Sequence, residues 1–175
     1  MDGRIRWDQE THWLKAGIAG NGAFLNVNTP DGRVNPMTIA WGQVGIVWGR
    51  PIFSVFVRKS RYTYECLQSA QSFTVSVPRL GELADELALC GTKSGRDLDK
   101  VQACGLMLVP GRSVDTPILG QCGLHYECAI VARAQFEAPD FVSKTIHRKY
   151  ESTDLHQITL GEILCAYITK GSANV

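Results

Sequence analysis

Residues 35–63, NPMTIAWGQVGIVWGRPIFSVFVRKSRYT, constrain this chain more than any other stretch. An apolar run at 37–41 leads into a bend marked by Gly42, Gly45, Gly49 and Pro51. Residues 52–57 are β-branched and aromatic, so they read as a central strand. That strand runs into Arg58-Lys59-Ser60-Arg61-Tyr62-Thr63, and residues 61–70 then carry Tyr62, Cys66, Leu67 and Ala70 on a helical spacing. Cations and hydroxyls thus stand where free helix amides favour an anion. Arg58 and Arg61 offer forked donors to a phosphate, and Ser60 and Thr63 offer hydroxyls. The same residues allow a plainer account, in which Ser60 caps the helix and the basic side chains solvate a strand end. On spacing alone the plainer account is preferred.

Before this stretch, residues 1–13 are polar with Trp7 and Trp13 and read as an arm that packs on the body, since indoles are costly to leave in water. Residues 16–22 look like a glycine-rich turn, and residues 23–29 like a strand. Pro30-Asp31-Gly32-Arg33 is a turn signal that returns the chain as a hairpin through 34–41.

Beyond it, residues 73–77 form a strand stopped by Pro78. Leu80, Leu83, Ala84, Leu87 and Ala88 make an apolar stripe that predicts a helix over 80–90. Residues 90–100 are a polar loop, and its Ser94, Gly95 and Lys100 form a second, weaker ligand candidate. A short strand is expected at 106–109, a further strand or extended coil broken by Pro117 at 114–119, and longer strands at 124–135 and 156–168. Gly161 inside the last suggests a bulge or bend. Residues 139–154 are mixed, with a cationic cluster at 144–150. His156 is a candidate for proton transfer, although a lone histidine at a strand start is more often structural.

The tally is about six to eight strands and two or three short helices without strict βαβ alternation. It favours a closed or Greek-key antiparallel barrel with peripheral helices over a doubly wound sheet. A length of 175 residues suits one domain. The net charge of +1 gives no field for nucleic acid or an anionic membrane. Apolar stretches fall short of the roughly 18 residues of a membrane span. The N-terminus lacks the apolar segment of a signal peptide, so a cytoplasmic protein is expected. The six cysteines are scattered, and free thiols are expected. Cys122, His125 and Cys128 match no usual zinc spacing, so no metal is expected. Motifs for a nucleophilic serine, a P-loop or a dinucleotide-binding turn are absent.

Taken in order, the pieces N-P-M-T-I-A-W-G at 35–42, W-G-R-P at 48–51 and V-R-K-S-R-Y-T at 57–63 resemble the flavin reductase-like, FMN-binding split-barrel family, especially its flavoredoxin branch. F-T-V-S-V-P at 73–78, C-G-T-K-S-G-R-D-L-D-K at 90–100 and residues 156–163 extend the match, which covers roughly 16–168. The resemblance implies a mainly β Greek-key split β-barrel with peripheral helices, homodimeric, with FMN near the subunit interface. It implies that Thr38, Ile39, Ala40 and Trp41 line the flavin ring. Arg58, Ser60, Arg61 and Thr63 would hold the phosphate, and Ser94, Gly95 and Lys100 would close over the cofactor. This agreement reverses the preference at the anion site. Residues 1–15 lie outside the shared pattern, and 140–154 are expected to vary and to shape the substrate mouth. Three functions follow as expectations: an oxidoreductase passing electrons from NAD(P)H through FMN to free flavin or another acceptor; an FMN electron-transfer protein reduced by a protein partner; or a barrel that holds haem or a pyridoxal phosphate form instead.

Overall fold

The computed structural model describes residues 3–150 and 154–170. In chain order these form β1 (Arg4–Ile5), α1 (Thr11–Ala19), β2 (Ala23–Asn28), β3 (Val34–Ile39), β4 (Gly42–Val47), β5 (Arg50–Arg58), α2 (Tyr62–Ser69) and β6 (Ser72–Val77). Next come α3 (Ala84–Thr92), α4 (Lys100–Ala103), β7 (Leu108–Val109), β8 (Ile118–Leu119), β9 (Leu124–Gln135), α5 (Lys144–His147) and β10 (His156–Ile168). Single 3-10 turns stand at Ala138–Asp140 and Arg148–Tyr150.

Eight strands make one antiparallel sheet in the order β3-β2-β6-β9-β10-β5-β4, with β1 added on β10. Strand β10 is the spine: it pairs with β9 along its length and with β5 from His156↔Arg58 to Glu162↔Ile52. The register slips at Leu160/Gly161, which is the bulge expected from Gly161. A Cβ there would stand 2.5 Å from the Phe73 ring, so only glycine admits this close approach.

The sheet does not close, in contrast to the expected barrel. Strands β3 and β4 are its two ends, although only Ala40 and Trp41 separate them in the chain. The ladder of β3 goes to β2 and that of β4 to β5, and no ladder joins β3 to β4 among the described residues. The seam so formed is where the site opens.

Inside, Leu25, Val27, Phe53, Val55, Phe73, Val75 and Tyr126 pack as the main core. Strand β2 is buried on both faces because α3 covers its outer one: Phe24 packs there with Leu87, Cys90, Leu106 and Leu119. Glu127 is fully buried yet satisfied. Its carboxylate accepts from the amides of Arg112 (2.8 Å) and Ser113 (2.6 Å) and from the Tyr167 hydroxyl (2.6 Å).

Several expectations need correction. The amino-terminal arm does pack on the body through Trp7 and Trp13, but it is regular structure: β1 pairs with β10, and Trp13 sits on α1 with its indole N–H donating to the Pro78 carbonyl at 2.9 Å. Residues 16–19 are the last turns of α1, so the glycine-rich turn begins only at Gly20. The glycine bend after Trp41 is an edge strand, β4, turned into β5 at Trp48 and Gly49. Their φ of +54° and +71° are those of a tight hairpin turn. The helix expected from residue 80 begins at Ala84, because Gly81 and Leu83 take positive φ; Leu80 is exposed. The first two residues of the arm and residues 151–153 of the mixed segment lie outside the described residues.

Candidate active site

Strand β3 delivers Thr38 and Ile39 to the seam, and the connection to β4 delivers Ala40 and Trp41. All four line a cleft with Arg58, Arg61 and His156. A second hollow continues from it, sharing Met37 and Arg61, and is lined by Ser60, Thr63, Ser94, Gly95 and Lys100 among others. The fold therefore brings every residue singled out for a cofactor, and His156, to one continuous depression. Met37 and Gly91 also line it and were missed; neither side chain carries a chemical signal in sequence.

Not every predicted donor is free. The Thr38 hydroxyl donates to the Leu87 carbonyl at 2.6 Å and ties β3 to α3. Thr63 is buried, and its Oγ1 accepts from Asn35 Nδ2 at 2.8 Å. Ser94 Oγ accepts from the Arg96 amide at 3.1 Å. A Cβ on Gly95 would lie 2.0 Å from Asn35 Oδ1, so the loop seats against Asn35 only with glycine. Asn35 Oδ1 itself is buried without a hydrogen-bond partner.

Ser60 is not the cap of α2. Arg61 holds that position, without a side-chain cap. Ser60 instead turns to Asp154, donating its hydroxyl to Oδ2 at 2.7 Å and its amide to Oδ1 at 3.1 Å. Asp154 thus fills part of the anion site with a carboxylate of the chain itself. No local spacing could reveal it, since the partners are 94 residues apart. Arg58 is drawn the same way: Nη1 donates to the Asp154 carbonyl at 2.9 Å, and its guanidinium lies 5.5 Å from the Tyr150 ring centroid.

Of the residues singled out from the sequence, Arg61 and Lys100 carry the remaining charge, and the exposed Lys93 stands at the same hollow. Neither Arg61 nor Lys100 makes an ion pair among the described residues. Lys100 is 4% exposed, and its Nζ reaches only the Cys90 carbonyl, at 3.5 Å. Burial holds its pKa below the ordinary lysine value, and the Arg61 charge adds to that depression. Two cations facing one hollow without a counter-charge are suited to an anion, which would relieve both.

His156, like Asn35, carries an unsatisfied atom. It is 7% exposed, Nδ1 has no partner, and its ring lies 4.5 Å from that of Trp41 by centroids. Desolvation, and then the Arg58 charge, lower its pKa to about 4, so the ring is neutral at pH 7. A neutral imidazole offers one donor and one acceptor to a ligand edge. All six cysteines are free, and five are buried. Burial raises Cys90 to about 12, which makes it a poor nucleophile. Among the described residues, no group of three His, Cys, Asp or Glu side chains is placed to hold a metal, and no helix is long and apolar enough to cross a membrane.

Known proteins show which family the chain belongs to. Residues 23–174 match the flavin reductase like domain. An uncharacterized protein of Archaeoglobus fulgidus is 29% identical over 141 residues, covering 81% of this chain and 68% of that protein. Among solved structures, the flavoredoxin of Desulfovibrio vulgaris (Miyazaki F) superposes with a TM-score of 0.66 at 26% identity, covering 85% of this chain and 69% of that one. An FMN-binding protein from Thermus thermophilus gives a TM-score of 0.67 at 25% identity, covering 87% and 73%. The chain belongs to the flavin reductase like domain family, and among solved structures it resembles the flavoredoxins.

Proposed function

We propose that the seam between β3 and β4 binds FMN and that the protein is an oxidoreductase passing electrons from NAD(P)H to free flavin or another acceptor. FMN is the cofactor that the family and its FMN-binding relatives support. The donor set fits it. A phosphate meets the unpaired cations Arg61, at the start of α2, and Lys100, at the start of α4, and a ring with polar edges meets the flat, apolar wall of Ile39 and Trp41. The observation that carries the reading is the buried, uncompensated Lys100 beside Arg61, which a purely structural cleft would not retain.

In this reading Arg61, Lys100 and Thr63 hold the phosphate, with Arg58 as outer support. Thr38, Ile39, Ala40 and Trp41 face the ring, and Ser94 and Gly95 close the loop. FMN, when bound, would supply hydride and single-electron chemistry. The protein's share is placement and electrostatics: Arg61 and Lys100 fix one end, Trp41 limits water at the other, and neutral His156 can hold a hydrogen bond without adding charge. No side chain is assigned as a general base. The whole chain acts as one such unit in the cytoplasm, and as a homodimer.

A second reading is favoured by the likeness to flavoredoxin: an FMN electron-transfer protein reduced by a protein partner. An anaerobic absorption titration separates the two. FMN-loaded protein that bleaches on adding NADH or NADPH supports the reductase. Flavin bands that persist with both nucleotides, yet bleach with dithionite, support the carrier. Protein that takes up no FMN would refute both.

A further inference from the structure

A second cavity, of about 520 Å³, opens across Trp41 and Phe56 from the cofactor cleft. Its walls are aromatic. Phe56 stacks toward Phe136 at 6.5 Å and 16°, Phe136 meets Phe141 at 5.2 Å, and Phe141 stacks on Tyr150 at 4.5 Å and 25°. Tyr150 in turn meets Trp41 edge to face at 6.4 Å. Five rings thus form a continuous arc, yet Phe56, Phe136 and Phe141 are only partly buried. Rings recruited merely to fill a core would be covered by it; here they keep surface for something else.

The rim points the same way. Val142 is 96% exposed and Ile146 49%, both on the segment that closes the cavity. Two polar groups of the wall, Asp140 and Ser143, are already engaged. Asp140 Oδ2 accepts from the Glu137 amide at 2.6 Å, and Ser143 Oγ lies 2.9 Å from Thr145 Oγ1. A carboxylate at Asp140 disfavours an anion within the cavity, and the basic side chains of α5 do not line it. The volume is that of a small-molecule site, roughly 300–1,000 Å³.

We propose that this arc binds a neutral, planar aromatic molecule, stacked among Phe136, Phe141 and Tyr150 beside the cofactor. Its meaning as the seat of a second ligand rests on the reading that the adjoining cleft holds FMN; the binding site itself is defined by its own walls. Edge-to-face and offset stacking give an aromatic ring an advantage over a saturated ring of the same size, and desolvation penalises a charged one.

The test is a ligand-observed NMR titration of acetophenone onto the protein, with and without FMN. Its saturated counterpart, 1-cyclohexylethanone, and the anion benzoate serve as controls. Saturable acetophenone binding is expected, at least fivefold tighter than either control. Phe141→Leu is expected to weaken it at least fivefold while FMN affinity, titrated separately, stays unchanged. Ile146→Ser, at an exposed position, provides a second variant that keeps the fold and is expected to weaken it too. Equal binding of the saturated ketone, unchanged binding in both variants, or no saturation would overturn the proposal. Should acetophenone behave as expected while FMN does not bind, the aromatic site stands and the flavin reading alone fails.

Discussion

The imidazole of His156 lies against the indole of Trp41, their centroids 4.5 Å apart, at the place where the sheet fails to close. Burial of that imidazole, with the Arg58 charge added, makes acid sensitivity a built-in property. With a folded pKa of about 4 against an unfolded value near 6.5, the unfolded chain binds the proton first as pH falls. Above pH 6.5 this residue has no pH-dependent effect; stability falls between about pH 6.5 and 4, by up to about 3 kcal/mol. Urea unfolding of His156→Gln is expected to show a shallower loss over that window than the wild type. Buried His125, also lowered to about 4, supplies the slope that remains. Identical pH slopes in the two proteins would refute the assignment.

The two arginines of the anion site are not equivalent. Arg58 is engaged with Asp154 and Tyr150, whereas Arg61 has no ion pair among the described residues. Arg61→Ala is expected to weaken FMN by about 1–3 kcal/mol, and Arg58→Ala by less. Riboflavin, which has no phosphate, should distinguish wild type from Arg61→Ala hardly at all. Fluorescence quenching titrations of both flavins check this.

Asp154 competes for the same ground. Its carboxylate occupies the amide and hydroxyl of Ser60. Asp154→Asn removes a negative charge from the anion site, so inorganic phosphate and FMN are both expected to bind more tightly, by about 1 kcal/mol. Weaker binding would show that Asp154 mainly positions Arg58.

Glu127 should be the costliest side chain to remove outside the cleft. Glu127→Ala strands two amides and the Tyr167 hydroxyl in a dry interior, with an expected loss of about 3–5 kcal/mol. Tyr167→Phe removes one hydrogen bond and should cost about 1–2 kcal/mol. Chemical denaturation of the two variants and their double mutant measures the coupling, which should be well above zero.

Gly161→Ala should be similarly harmful for a steric reason, since the new methyl meets the Phe73 ring and Cys128 Cβ at 2.5 and 2.7 Å. About 1–3 kcal/mol is expected, read as a lowered urea midpoint with an unchanged slope.

Much of the framework was legible in the residues. Strands β2, β5, β6, β9 and β10 announced themselves through β-branched and aromatic runs, and Gly161 announced its bulge. What stayed hidden depends on distant partners. Helix α1 is carried past its glycine by packing against β2 and β6, not by propensity. Strand β4 is too rich in glycine to read as one, yet β5 pins it by six register pairs. The basic cluster at 58–63 showed where the anion site lies, but nothing near Ser60 foretold that Asp154 would take its donors. The aromatic arc was invisible for a related reason: Phe56, Phe136, Phe141 and Tyr150 come from a strand and an irregular segment, with no periodicity to connect them.

The position of β10 at the spine also sets a timetable. The strands before it form two separate runs, β3-β2-β6-β9 and β5-β4, and β10 alone joins them, by long-range pairing. During synthesis neither run can complete the sheet until residues 156–168 emerge, a non-local topology that favours slow assembly. The pair His156↔Arg58 forms in that same step. The cleft is therefore finished only when the sheet is, and a nascent chain or one cut before His156 has no cleft to fill. A ligand held there would reward only the fully assembled protein.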